Sequence, residues 1–193
     1  MPVKIFKNKS FSSELQGENF SQVKFLNCRF TSADLKLSNF TDCQFENCDF
    51  TGVIFAMSSF SRCQFPGSKL SNLDFREVTW QNCNFQQAII KNSIFQQFKS
   101  SDQYVHKNSN LRTCLFGQCD LEQTVFISCD LRELEFAGAD LSLAVFDHCQ
   151  LNKTDFRGAQ LTAIRFDNCK IETTLLDLDG FLSFGQSHGF RLG

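Results

Sequence analysis

From Leu15 to Phe95 every fifth residue is apolar, a period that neither a helix nor a strand produces. The series reads Leu15, Phe20, Phe25, Phe30, Leu35, Phe40, Phe45, Phe50, Phe55, Phe60, Phe65, Leu70, Phe75, Trp80, Phe85, Ile90 and Phe95. It resumes one register later at Leu111 and runs in fives through Phe116, Leu121 and Phe126 to Ile171 and Leu176. Two residues before these 31 centres stands Ala, Cys, Ser, Thr or Val in 27 cases. The exceptions are Glu18, Leu73, Leu134 and Ile164. Two of every five residues therefore point inward, one bulky and one slender, and the other three face water.

A five-residue unit that turns a corner after each short side closes a coil in four units. Coils stacked at the strand spacing of ~4.8 Å place residues 20 apart above one another. The expected fold is all-β, a right-handed quadrilateral β-helix. Phe25, Phe45, Phe65 and Phe85 form one column, and Leu111, Leu131, Leu151 and Ile171 another. Each buried Phe contributes ~1.5–3 kcal/mol, which helps to offset the entropy lost on ordering the chain. This need explains a composition of 24 Phe beside one Trp, one Tyr and two Pro.

All ten cysteines occupy the slender phase, which reads them as small apolar fillers. Their closest spacing, as at Cys43/Cys48 and Cys114/Cys119, is C-x4-C rather than the C-x2-C of zinc sites. The lysines of the N-terminus are followed by no apolar run. No stretch approaches the ~20 apolar residues of a membrane span. A cytoplasmic protein with reduced thiols is expected.

The repeat breaks once. The centres flanking residues 96–110 are 16 apart, three units plus one, so a loop is expected to leave the coil there. Its tip carries Tyr104 and His106. Residues 177–193 abandon the period and carry Phe181, Leu182, Phe184, Phe190 and Leu192, as an end cap or a dimer interface would. Val3, Ile5 and Phe6 are expected to cap the opposite end. The chain thus reads as one domain: a repeat block over 11–95, the break at 96–110, a second block over 111–176 and the tail.

Units such as ADLKL (33–37), CDFTG (48–52), CDLEQ (119–123), CDLRE (129–133), ADLSL (139–143) and TDFRG (154–158) resemble the A(D/N)LXX motif of the pentapeptide-repeat family. The resemblance covers about residues 11–176. Single-domain members of this length are similar to the Qnr-type quinolone-resistance proteins and the microcin and albicidin immunity proteins. That resemblance implies a partner, DNA gyrase or topoisomerase IV. It also implies a rod-like homodimer joined through its C-terminus, partial mimicry of B-DNA, and a projecting loop that helps to protect gyrase. The runner-up is a protein-interaction scaffold of the same fold with a different partner.

Charge limits the mimicry. A rod of 7–8 coils is ~35–40 Å long, and a duplex of that length carries on the order of 20 phosphate charges. The formal net charge here is −2. Residues 1–99 carry eleven Lys/Arg against eight Asp/Glu, and residues 100–193 eight against thirteen, so an acidic face belongs to the second half. The spacing of 20 stacks Asp120 with Asp140, Glu135 with Asp155, and Asp147 with Asp167. Asp before a centre also bonds the turn backbone for purely local reasons. Val125, Ile127, Leu143 and Val145 fall on or near one outward face, and Leu37 and Met57 stack in another outward column. Catalysis finds no support: the three histidines, His106, His148 and His188, lie far apart in sequence, and no nucleophile elbow, metalloprotease or phosphate-loop motif occurs. No cofactor, nucleic acid or membrane partner is expected.

Overall fold

The computed structural model describes residues 3–96, 111–191 and 193. In chain order its strands are β1 (Lys4–Lys7), β2 (Asn19–Ser21), β3 (Val23–Leu26), β4 (Asn39–Thr41), β5 (Gln44–Glu46) and β6 (Ser59–Ser61), followed by β7 (Thr79–Gln81), β8 (Ile94–Gln96), β9 (Val125–Ile127), β10 (Val145–Asp147) and β11 (Arg165–Asp167). One helix, α1 (Leu178–Ser187), ends the chain. Every strand pairing is parallel, giving a β-solenoid of about seven turns. Three sheets, ordered β1-β3-β5, β2-β4-β6-β7 and β11-β10-β9-β8, and single bridges on the remaining sides complete the stack.

The centres build four columns, one behind each face. Face A holds Phe6, Phe25, Phe45, Phe65, Phe85, Phe116, Phe136 and Phe156, with rings stacked 4.9–5.8 Å apart. Face B starts with Phe11, Phe30 and Phe50 and continues in Leu and Ile. Face C carries Phe95, Phe126 and Phe146, stacked at 5.1 and 4.9 Å. Face D holds Phe20, Phe40, Phe60 and Trp80, then Leu111, Leu131 and Leu151. Neighbouring faces meet edge to face, as Phe40 and Phe45 do at 5.4 Å and 72°. Offset stacking within a column and T-shaped contact between columns are the two favoured aromatic geometries.

The slender residues carry more than small volume. Cys63 Sγ donates to Phe40 O at 3.4 Å, Cys48 Sγ to Phe25 O at 3.3 Å, and Cys149 Sγ to Phe126 O at 3.3 Å. Ser38 Oγ to Leu15 O at 2.6 Å and Thr154 Oγ1 to Leu131 O at 2.8 Å repeat the same contact. Each ties one coil to a centre carbonyl of the coil before it. Cys, Ser and Thr exchange here because each places a donor one bond beyond Cβ. All ten cysteines are free, and burial pushes the Cys48 and Cys119 thiols up to about 12, which keeps them as donors.

Corners impose a cost that the period alone does not reveal. The second residue after a centre enters the left-handed region, as at Asn27 (φ 51°), Asn47 (φ 52°), Met57 (φ 58°), Gly67 (φ 64°) and Leu143 (φ 60°). At many corners a backbone bond closes a type II turn, as from Ala33 N to Phe30 O at 2.7 Å. Asn and Gly suit such a position; Met57 and Leu143 do not, and both side chains are exposed there.

Across the break, Asn82 N donates to Thr113 Oγ1 and Ile94 pairs with Val125, partners 31 residues apart instead of 20. Phe95 lies on face C and Leu111 on face D, the next face in order. The 16-residue spacing is therefore one ordinary unit plus eleven additional residues at a single corner, not three units plus one.

The two ends differ. Asp177 caps α1 by accepting from Gly180 N at 2.8 Å, and its second oxygen accepts from Gly158 N at 2.7 Å. Phe184 then packs on Phe166 at 5.6 Å and extends the face C column past the last coil. The expectation for the other end needs correction: Val3 and Ile5 are exposed, and only Phe6 is partly buried, beneath Lys4 Nζ at 4.7 Å and Lys9 Nζ at 5.2 Å. The parity of β1 turns Ile5 outward.

Replacing Phe45, stacked between Phe25 and Phe65, with Ala should cost about 3–5 kcal/mol, read from urea unfolding. Met57→Gly should stabilise by up to about 1 kcal/mol, because relief of left-handed strain outweighs the added freedom of the unfolded chain.

Candidate interaction surface

Outward positions lie immediately before and after each centre and at the corner, so the exterior is a grid written by the same period. In the position before the centre, Asp accepts from the backbone N–H two residues on. Asp34 does so from Lys36 at 3.0 Å, Asp49 from Thr51 at 2.9 Å, Asp140 from Ser142 at 2.9 Å and Asp155 from Arg157 at 2.9 Å. Where Arg follows, it folds back onto the same carboxylate: Arg76 on Asp74 at 2.5 Å, Arg132 on Asp130 at 2.7 Å and Arg157 on Asp155 at 2.6 Å. The guanidiniums of Arg76 and Arg157 hold the Asp74 and Asp155 carboxyls below their usual range.

The three acidic pairs stack in register: Asp120 with Asp140, Glu135 with Asp155, and Asp147 with Asp167. They occupy three different faces, however: B, A and C respectively. Basic side chains also reach most of them. Lys91 bridges Asp120 at 2.9 Å and Glu122 at 2.7 Å, Arg165 meets Asp167 at 2.6 Å, and His148 Nδ1 lies 2.7 Å from Asp147. Asp140 and Glu135 have no ion pair among the described residues. Glu135 borders a depression of about 400 Å³ lined also by Gln86, Arg112, Leu115 and Gln118.

Sequence reasoning missed the Lys91 clasp. It joins coils on either side of the break, and only the true insertion length of eleven residues puts Lys91 against Glu122. Tyr104, His106 and Leu192 lie outside the described residues. Ile94, Val125 and Val145 line up on face C with Ile127 beside them, and Leu143 stands at the neighbouring corner. Among the described residues no cluster of His, Cys, Asp or Glu could hold a metal ion, and no helix is long and apolar enough to cross a membrane.

At the C-terminal end, α1 divides its apolar residues between two sides. Gly180 is buried, with a Cβ position 3.0 Å from Leu161 Cδ1, and Phe184 faces the last coil. Leu178, Phe181 and Phe190 point to solvent, at 73%, 63% and 71% exposure, and Leu182 is half-buried. Phe181, Leu182, Phe184, Gly185 and Phe190 line an apolar groove of about 240 Å³. Gly189, at φ 85°, reverses the chain so that Phe190 N reaches Gly185 O at 2.9 Å, closing the helix.

Comparison with known families matches a model described as "Pentapeptide repeat region" over residues 38–109 and 105–176, and one described as "Pentapeptide repeats (8 copies)" over 13–52. The chain is a pentapeptide-repeat protein. No curated protein sequence matches it. Among solved structures, a trypsin-treated variant of QnrB1, a plasmid-mediated fluoroquinolone resistance protein, aligns over 100% of both chains with a TM-score of 0.65 and 18% identity. A second trypsin-treated QnrB1 variant aligns over 99% of this chain and 98% of its own, with a TM-score of 0.53 and 17% identity. At these identities the likeness is one of fold.

The Asp177 carboxyl is held below its usual value by bonds from Gly158 N and Gly180 N. A lowered carboxyl stabilises the fold above its unfolded value of 3.8 and loses that contribution as pH falls through the lower folded value. Helical ellipticity from α1 should therefore drop as pH falls below 3.8, and Asp177→Ala should show the reduced signal already at neutral pH.

Proposed function

We propose that this pentapeptide-repeat protein is a non-enzymatic binder of a type II topoisomerase, DNA gyrase or topoisomerase IV, and shields it from fluoroquinolones or peptide toxins. The observation that carries the reading is the fold likeness to QnrB1, which runs the full length of both chains and is described for a fluoroquinolone resistance protein. The eleven-residue insertion at one corner adds to it, since a rigid coil is a suitable base for a protruding contact.

Mimicry of DNA, in this reading, is facial and sparse. Glu135 and Asp140, on adjacent faces, supply the charge that no salt bridge ties up among the described residues. Asp120, Asp155 and Asp167 contribute shape and hydrogen-bond acceptors more than net potential, because Lys91, Arg157 and Arg165 stand against them, and Asp147 contacts His148. Tyr104 and His106 would supply the contact made by the insertion. That same neutralisation favours the second reading, a scaffold of this fold whose partner is not a topoisomerase.

Dimerisation belongs to the outer side of α1. Phe181 and Phe190 offer rings to the apolar groove of a second copy, with Leu182 beside them, and Phe184 supports the patch from beneath. An exposed patch of this kind favours self-association through apolar burial.

Purified protein should protect gyrase supercoiling from a fluoroquinolone or a peptide toxin, or inhibit it directly; no effect in either assay overturns the topoisomerase reading. Shortening residues 97–110 to an ordinary corner should abolish protection and leave thermal unfolding nearly unchanged. Phe181→Asp should halve the mass measured by light scattering while keeping the melting temperature. Phe184→Asp should lower the melting temperature as well, because it also strips the ring from Phe166.

A further inference from the structure

The N-terminal end of the rod combines three features that the other described residues do not bring together. First, β1 is the terminal strand of its sheet and pairs on one side only, with β3. Asn8 N donates to Leu26 O at 2.9 Å, so alternation along the ladder directs the N–H and C=O groups of Ile5 and Lys7 to the open side. No described residue covers them, whereas at the opposite end α1 packs on Phe166 and Leu161 and leaves Ile171 exposed. Second, Lys4, Lys7, Lys9 and Lys24 surround this edge, and none has an ion pair among the described residues. Elsewhere most outward cations fold onto a carboxylate. The ammoniums of Lys4 and Lys9 are held over the Phe6 ring, which fixes positive charge directly beside the open strand. Third, Val3 and Ile5 stand exposed along the same stretch, at 49% and 56%.

We propose that the β1 edge is a docking site for an extended acidic segment of another protein, added as one more parallel or antiparallel rung. The unpaired backbone supplies the hydrogen bonds of strand addition, and alternate side chains supply selectivity. Acidic residues on one side of the incoming strand meet Lys4 and Lys9, which lie on the Phe6 side of β1, and apolar residues on its other side lie against Val3 and Ile5. A second copy of this end is disfavoured by the same lysines, which repel their own image; charged edge residues commonly serve to prevent self-pairing. A polyphosphate or nucleic acid would use the ammoniums but leave the backbone edge and Ile5 without a role, so the strand is the better match. The inference is independent of the topoisomerase reading, since it concerns the opposite end of the rod from α1.

The test is fluorescence anisotropy of the full chain with a short fluorescein-labelled peptide of alternating glutamate and valine. Saturable binding is expected, with amide shifts at Ile5 and Lys7 in NMR spectra. Combined Lys4→Glu, Lys7→Glu and Lys9→Glu substitutions should weaken it at least about tenfold, and these exposed positions leave the coil intact. N-methylation of the peptide backbone, tested on the unaltered protein, should weaken it by at least as much. Absence of saturable binding overturns the proposal. So does equal binding of the N-methylated peptide or of a single-stranded oligonucleotide of the same charge, either of which would reduce the site to non-specific attraction.

Discussion

Face-to-face stacking of like side chains at a separation of one coil is the contact on which the rest of this protein depends. The rings of face A repeat at about the strand spacing, so the backbone ladder and the aromatic column have the same pitch and neither strains the other. A Phe therefore fits best above another Phe, and the column propagates its own composition. The change from Phe to Leu within face B and face D is tolerated because opposite faces change in the same sense: beyond the break A and C are aromatic while B and D are aliphatic. The shaft keeps its width, and packing remains dense without voids.

The fold meets the cost of its corners through many small local devices. Left-handed backbone recurs at nearly every corner, and for residues other than glycine each instance is unfavourable. Three things offset it: inter-coil backbone bonds on all four sides, the Cys, Ser or Thr donor that reaches a centre carbonyl of the previous coil, and Asp before the centre capping the next turn. The acidity of the surface is largely a by-product of that last device. Much of it is then returned to neutrality by Arg or Lys two residues on, which explains how a chain with so many outward carboxylates ends near zero net charge.

In the proposed reading, function resides in departures from the period. Four stand out: the eleven additional residues after face C, the outward apolar side of α1, the carboxylates Glu135 and Asp140 that have no salt bridge among the described residues, and the lysine-ringed β1 edge. Each breaks a rule that the repeats otherwise keep. The regular part fixes where each of these departures leaves the coil.

The alternation of bulky and slender residues, read from Leu15 to Leu176, was sufficient to give four columns, the 20-residue stacking and the inward placement of every cysteine, because a short side between tight corners leaves only two positions that can face the shaft. The registers of Asp120 with Asp140 and of Asp147 with Asp167 followed from the same spacing. What lay beyond the sequence was anything set by three-dimensional neighbours. That the break spans one corner depends on which face Leu111 joins. That Lys91 clasps Asp120 and Glu122 depends on side chains meeting across coils. Phe184 and Phe181 are alike in a sequence; docking of α1 on Phe166 turns one inward and leaves the other in water. Periodicity dictates direction relative to the local backbone, but partners are chosen only when distant turns of the chain are brought side by side.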